Sequence, residues 1–427
     1  GMLLDPEPLR RDPEFRLVWT AQLLSNLGRQ VTLVALPTQL YLLTRSPLAI
    51  GALALVNLIP VLGLSLGAGA VADAFDQRRM LQLTQSGLAL STAVLALLAL
   101  SPAPPLPLLY LVALLAAAVS AIDQPVRKSA LYRTVARERM GKAVALEQGA
   151  MQTAMVVGPT IGGVLFAAVG LPLTYGLDAL AFCAAIAVLA VARPIPPLAG
   201  VARPSLAGIA ESLAYVRSRP AILGTFVIDL DAMIFGLPVA LFPILALDTF
   251  HAGPAGVGLL TSAPAAGALL GVLLSGWATS IRDSGRATLV AVVIWGLAIT
   301  AFGLVTVSLP LALVFLAVAG AADVFSAVFR STILQLSVPD ALRGRLSAIH
   351  LLVVTGGPRL GDMEATGVAA LTSASFSVIS GGLLCIAGAA VVAWRFPELV
   401  AYRQPAAAAA GRGGASAAEA SEEAADG

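Results

Sequence analysis

A series of long apolar runs, each about twenty residues and parted by short polar or basic stretches, limits what this chain can fold into. An α-helix rises about 1.5 Å per residue, so ~20 apolar residues match the ~30 Å hydrocarbon core of a bilayer. About twelve runs fit that ruler. The first six centre near Leu27, Ile59, Thr92, Leu114, Val157 and Ala184, the second six near Phe235, Leu269, Ile299, Phe325, Gly357 and Leu384. Only 12% of residues are charged, against about 25% in soluble domains. Mean hydropathy is +0.89, which sets aside soluble secreted, nucleic-acid-binding and disordered classes together. In lipid each backbone polar group needs a partner within its own segment, so the runs are predicted to be helices. The expected fold is therefore an all-α membrane protein with twelve transmembrane helices.

The placement of charge orients the chain. Arg78 and Arg79, Arg127 to Lys142, Arg193 to Arg219, Arg282 and Arg286, Arg330, and Arg343 and Arg345 fall in alternate loops. Arg45 sits opposite them, and Arg29 and Arg359 lie within spans; the other 23 of the 26 Lys+Arg share one side with both ends. The positive-inside rule then predicts both termini in the cytoplasm. Asp5, Glu7, Arg10, Arg11, Asp12 and Arg16 precede the first apolar run, which is not the form of a cleavable signal peptide. The expected organisation is a cytoplasmic segment 1–15, a six-helix half 16–192, a cytoplasmic linker 193–220, a second six-helix half 221–395 and a disordered tail 396–427. Within the linker, Ser205 to Arg219 is predicted as a surface helix capped by Ser205 and stopped by Pro220.

The halves repeat. Gly63-x-x-x-Gly67 recurs as Gly267-x-x-x-Gly271, and Arg127-Lys-Ser-Ala-Leu131 as Arg330-Ser-Thr-Ile-Leu334. Cys183 and Cys385 match, and Gly158-Pro159 returns as Gly357-Pro358; the offsets are 204, 203, 202 and 199 residues. Two parallel six-helix repeats about a membrane-normal axis are a transporter architecture. Gly and Pro inside a helix cost about 1 and 3 kcal/mol in water, so Gly158, Pro159, Gly162 and Gly163 read as bending and close-packing residues. Gly357, Pro358 and Gly361 read the same way, but Arg359 and Asp362 stand among them.

These residues carry a family resemblance that spans nearly the whole chain. Gly69-Ala-Val-Ala-Asp73-Ala-Phe-Asp76-Gln-Arg78-Arg79 resembles the loop signature of the major facilitator superfamily, with Ala74 and Gln77 in place of usual basic residues. The counterpart Gly276-Trp-Ala-Thr-Ser-Ile-Arg282 has no acid. Ala154-x-x-x-Gly158-Pro159-x-x-Gly162-Gly163 resembles the fifth-span signature of proton-coupled exporters, with Ala154 where a glycine is usual. Pro13-Glu-Phe-Arg16 and Leu342-Arg343-Gly344-Arg345 are similar to the enterobactin-exporter and macrolide-efflux branch. The resemblance implies the major facilitator fold, with spans 1, 4, 7 and 10 around a central cavity and spans 2, 5, 8 and 11 at the seam between halves. It also implies that Asp73, Arg78 and Arg79 act as a gating latch on the cytoplasmic side.

An ionisable side chain inside a bilayer is costly and marks function. Arg29, with Gln22, Ser25 and Asn26 nearby, lies in span 1; Asp229 and Asp231 lie in span 7, Asp323 in span 10, and Arg359, Asp362 and Glu364 in span 11. These are the candidate substrate- and proton-binding residues, and Arg359 with Asp362 at i,i+3 is a candidate pair. On the family layout Arg29 is expected to meet Asp229 or Asp231 across the axis. Asp123 and Arg127 are expected in the cytoplasmic-side network, with Glu147, Gln148 and Gln152 as weaker polar candidates. Phe235, Met233, Phe242 and Trp295 are candidate apolar wall residues.

Catalytic motifs do not survive inspection. Gly63-Leu-Ser65-Leu-Gly67 has a hydrolase-elbow pattern but lies in an apolar helix, and Gly141-Lys142 lacks the earlier glycine of a phosphate loop. Two histidines, His251 and His350, and two cysteines in apolar runs predict no metal site and no disulfide. The expectation is a monomeric, proton-gradient-driven exporter in a bacterial cytoplasmic membrane, with no cofactor, no enzymatic activity and no nucleic-acid partner. Its partners are the lipid bilayer, protons and a small amphipathic cargo, a siderophore of the enterobactin kind or a drug such as a macrolide. A nutrient importer on the same fold, or a non-transporting receptor or assembly protein, are the alternatives.

Overall fold

The computed structural model describes residues 6–196, 214–274, 281–337 and 340–403, with side chains left undescribed at 65–74, 340–349 and 351–352. Every regular element among these residues is helical. In chain order the main helices are α1 (Pro13–Thr44), α2 (Pro47–Ala74), α3 (Gln77–Leu98), α4 (Leu106–Arg133) and α5 (Met140–Val191). They continue with α6 (Pro220–Phe235), α7 (Gly253–Leu274), α8 (Ser284–Leu304), α9 (Leu309–Ser337), α10 (Asp340–Leu371) and α11 (Ala374–Arg395).

Nine segments among the described residues are long and apolar enough to cross a bilayer. One of them, Arg137–Val191, contains α5, which breaks at Gly170 (φ 78°, ψ 171°) into two limbs. Only glycine adopts that backbone without strain. The chain therefore turns back between Val157 and Ala184 almost without a loop. The helices α1 and α10, 32 residues each, are not among the nine; they are the two that carry Arg29 and the Arg359/Asp362/Glu364 group. The count of twelve rests on that break and on those two polar helices.

Small residues set the packing. The first limb of α5 lies along α1 and, on another side, along α7; α10 lies along α6 and α2. A Cβ on Gly158 would meet Gln30 Cβ at 2.5 Å, and one on Gly162 would meet Val31 Cα at 2.9 Å. In the second half a Cβ on Gly357 would meet Met233 Cβ at 3.1 Å, and one on Gly361 would meet Ile234 O at 2.6 Å. Each Gly-Pro phrase thus presses its helix onto the first helix of its own half. Across the seam, a Cβ on Gly163 would meet Pro254 O at 2.5 Å and Gly258 Cα at 3.0 Å, and Thr160 Oγ1 donates to Ser262 Oγ at 2.8 Å. Close approach of backbones at small residues is how helices associate in lipid, where water drives nothing.

The linker helix ends at residue 218, before Pro220 as expected, and Pro220 also opens α6 at its first turn, where the missing N–H costs nothing. Of the expected surface helix, the described part, residues 214–218, is helical, with Val216 buried; Ser205 and the rest lie outside the described residues. The tail differs from expectation and is not unstructured from residue 396. A short helix, Pro397–Val400, seats a fully buried Leu399, Ser337 Oγ donates to Tyr402 Oη (3.1 Å), and Arg403 pairs with Asp283 (2.6 Å). Residues 404–427 lie outside the described residues. At the N-terminus, Arg139 donates two bonds to Asp12 (2.8 and 2.7 Å), and the guanidinium holds that carboxyl below its ordinary range. Cys183 is exposed on α5, whereas its counterpart Cys385 is buried.

Candidate functional site: two arginine-centred clusters

In the first half, α1, α3 and α4 bring one acid and two arginines together. Asp123 is fully buried and sits one turn before Arg127 on α4. Its carboxylate accepts from Thr84 Oγ1 (2.7 Å), Gln85 Nε2 (2.9 Å) and Arg29 Nη2 (3.1 Å), with Arg127 Nη2 at 3.2 Å. Ser25 Oγ donates to Gln85 Oε1, which turns the amide nitrogen toward Asp123. Arg127 Nη1 donates to Asn26 Oδ1 at 2.8 Å. The result is one saturated carboxylate between two guanidinium groups, with Glu147 close enough for its charge to act on Arg127 and Asp178 close enough to feel Arg29. Arg29 keeps a quarter of its side chain exposed.

Arg29 therefore does not meet Asp229 or Asp231 across the axis, as the layout implied. Its side chain points into its own half because Asp123, read as a peripheral network residue, offers a buried acceptor there. Glu147 accepts from Tyr132 Oη and lies 3.5 Å from Gln22 Nε2. The sequence reading passed over Asp178, a buried acid on the second limb of α5 that accepts from Thr32 Oγ1 and fills the space left by Gly28. It was visible as an acid inside an apolar run.

The second half repeats the arrangement with its parts exchanged. Arg330 and Arg127 are 203 residues apart, as are Asp229 and Asn26, and Ser326 and Asp123. Arg330 Nη1 donates to Ser326 Oγ at 3.0 Å, and Nη2 lies 2.8 Å from Asp229 Oδ1. The carboxylate has moved from the arginine's own helix to α6. Asp229 is buried, yet its Oδ1 has no hydrogen bond among the described residues, since the Arg330 contact lacks the alignment. His350 Nδ1 on α10 lies 3.7 Å from Asp229 Oδ2, and its ring meets Phe226 edge-on at 6.2 Å. Asp323, two turns before Arg330 on α9, lies close enough for its charge to act on Arg330 and Asp229. Asp231 points the other way, into space that Gly388 leaves on α11.

The span-7 helix breaks after Phe235 and resumes through Val239–Leu241. Trp295 Nε1 donates to the freed carbonyl of Gly236 (2.6 Å), and Asp362 accepts from the freed N–H of Ala240 (3.1 Å). A backbone break in a membrane persists only where such groups are satisfied. Trp295 and Phe242, expected as cargo walls, are buried in the core of the second half. Arg359 lies 3.8 Å from Asp362, as the i,i+3 spacing predicts, and Glu364 is half-buried one turn short of Val368.

At the end of the bundle away from the chain termini the halves touch through charge. Asp248 accepts from Tyr41 Oη and pairs with Arg45 at 3.3 Å. At the terminus end, Arg78 turns back into its own half and donates to the carbonyls of Leu189 (3.0 Å) and Ala190 (2.6 Å), closing the end of α5. Arg79 is exposed, its N–H bonded to the Asp76 carboxylate (3.0 Å), and the Asp73 side chain lies outside the described residues.

This arrangement has known relatives. Residues 6–410 match the family described as transmembrane secretion effector, a group of major facilitator transporters. The chain belongs to that family. It is 28% identical to the enterobactin exporter EntS of Citrobacter koseri over 405 residues, which is 94% of this chain and 96% of that protein. The enterobactin exporter EntS of Shigella flexneri is 28% identical over 388 residues, 90% of this chain and 92% of that one. Among solved structures, the nucleoside transporter NupG superposes with a TM-score of 0.72 at 16% identity, covering 91% of this chain and 99% of that one. A bacterial homologue of the lysosomal transporter Spinster, inward-facing and unoccupied, gives 0.69 at 15% identity, covering 93% and 99%. The fold is therefore that of the major facilitator transporters, and the protein is a multi-pass membrane transporter.

Proposed function

We propose that this transporter is a proton-coupled exporter whose cargo is a small amphipathic anion of the catecholate siderophore class, moved by alternating access. The observation that carries the reading is Arg29, an arginine inside a membrane span that shares Asp123 with Arg127 and still keeps a quarter of its side chain exposed. A planar guanidinium with unused donors suits catecholate oxygens or a carboxylate. The curated relatives named as enterobactin exporters support the same cargo class and the same direction.

On this reading the end bearing the chain termini is cytoplasmic, by the same distribution of Lys and Arg. The pH gradient supplies the energy, and no cofactor takes part. Asp229 is the coupling carboxylate, because it faces a cation across a helix-helix contact rather than within one helix. Asp231, Asp323, Asp362 and Glu364 support it as secondary acids, and Arg359 and Asn26 complete the polar lining. Asp73, Arg78 and Arg79 act at the cytoplasmic gate, and Asp248 with Tyr41 and Arg45 holds the outer side shut until cargo arrives.

Inverted membrane vesicles test it. With the interior acid, a catecholate siderophore such as enterobactin should accumulate, and dissipating the pH gradient should stop the accumulation. Accumulation of a macrolide in place of the siderophore would move the cargo assignment to cationic drugs. Uptake into right-side-out vesicles instead would make the protein an importer.

A further inference from the structure

Asp229 is buried, and its Oδ1 has no hydrogen bond among the described residues, so a proton needs a carrier to reach the carboxylate from water. The groups around it are few. Arg330, Ser326 and Asp323 come from α9, His350 comes from α10, and Asp231 on α6 itself is turned toward α11. Arginine does not give up its proton in a protein, and serine does not titrate. Asp323 is a rival holder of the proton rather than a link to water, since it shares the arginine with Asp229. Among the described residues, His350 alone combines a contact with Asp229 and a largely exposed ring: its Nδ1 lies 3.7 Å from Asp229 Oδ2, and 44% of its side chain is exposed. It stands ten residues into α10, about 15 Å from that helix's start at the terminus end of the bundle. The edge-on contact with Phe226 fixes the ring plane.

Charge counting points the same way. Asp229, Asp323 and Arg330 together hold two acids against one base, so the group is neutral when it holds one exchangeable proton. Neutral groups are the inexpensive state inside a bilayer. At the matching place in the first half, Asn26 replaces the acid and Asp123 is saturated by hydrogen bonds; the buried acid with an unbonded oxygen there, Asp178, lies on another helix, with Thr32 donating to its Oδ2.

We propose that His350 is the proton relay between water at the terminus end of the bundle and Asp229. This rests on the exporter reading only in naming Asp229 as the coupling acid. Inward, water protonates Nε2, the resulting imidazolium gives its Nδ1 proton to Asp229 Oδ2, and a neutral ring bearing Nε2–H remains. Outward, the same path runs in reverse: Asp229 returns the proton to Nδ1 and Nε2–H passes to water. Closing 3.7 Å to hydrogen-bond distance takes about 1 Å of side-chain movement.

Infrared difference spectroscopy on the purified full chain after a pH jump tests it without any cargo. The carboxyl band that appears on acidification should lose its Asp229 component in Asp229→Asn. In His350→Ala that component should form more slowly, on the order of a hundredfold, and added imidazole should restore the rate. His350→Gln should be equally slow while melting at the wild-type temperature. A wild-type rate in His350→Ala, or slowing that imidazole does not rescue, overturns the relay, as does a band unchanged in Asp229→Asn. A rescued relay in a protein that moves no siderophore in vesicles would remove the exporter reading and leave the relay standing.

Discussion

In the N-terminal half Arg127 lies between Asp123 on its own helix and Asn26 on α1; in the C-terminal half Arg330 lies between Ser326 on its own helix and Asp229 on α6. The register is identical and the chemistry is exchanged. Asp123 accepts three hydrogen bonds and touches a second arginine, so its charge is fixed in place. Asp229 meets an arginine of another helix at 2.8 Å, and its Oδ1 has no aligned hydrogen bond among the described residues. A duplicated scaffold can thus keep one half as a rigid, hydrogen-bonded charge cluster and leave the other with a charge pair that a proton can dissolve. Breaking a buried pair by removing one partner costs several kcal/mol, so the two acids should respond differently to neutralisation.

The largest expected effect is at Asp123. Asp123→Asn strands Arg29 and Arg127, and should destabilise the protein by about 3–5 kcal/mol, read as a lost or much lower melting transition in detergent. Asp229→Asn should fold nearly as well as wild type, because Asp323 remains near Arg330. Equal damage from the two would erase the contrast drawn between the halves.

The glycine scaffold, in contrast, should behave alike in both halves. Gly162→Ala would place a Cβ 2.9 Å from Val31 Cα, and Gly361→Ala one at 2.6 Å from Ile234 O. Each should cost about 1–3 kcal/mol as overpacking against backbone, measured by thermal melting. A large cost in one half and none in the other would mean that the phrases are not structural equivalents.

Trp295→Phe probes a feature of the second half alone. Removing the indole N–H leaves the Gly236 carbonyl unpaired at the break, for about 1–3 kcal/mol, whereas α1 runs unbroken through residues 33–35, the equivalents of Leu237 with its neighbours. Wild-type stability would show that the break does not depend on that bond. The smallest effect should come from the junction between halves. Arg45 and Asp248 are largely solvated, so Asp248→Asn should shift stability by no more than ~1 kcal/mol and favour opening at that end, visible as faster labelling of a cysteine placed nearby.

The helices, the duplication and the glycine seam were legible because period and spacing encode them directly: the apolar runs, the offsets near 203 residues and the Gly-Pro phrases each state one geometric fact. The pairing of the charges was not, since a linear map of charges tells which side chains must find partners but not which partner lies nearer. Arg29 was assigned across the axis, while Asp123, one turn from Arg127, took it within the half. The matching offset of Asn26 and Asp229 was present in the sequence and would have exposed the exchange had it been sought beside Arg127 and Arg330. His350 was read as an isolated histidine because its partner lies about 120 residues earlier, on another helix. Asp248 lies at a span end, where an acid costs little and so draws no notice.

Asp229 is proposed to couple transport to the proton while the first half handles the cargo. Two modes of transport compared in proteoliposomes reconstituted with Asp229→Asn test this most directly. Enterobactin exchange across the membrane without a pH gradient should continue near the wild-type rate, while accumulation driven by the gradient should be abolished. Gradient-driven accumulation at the wild-type rate in Asp229→Asn would contradict it.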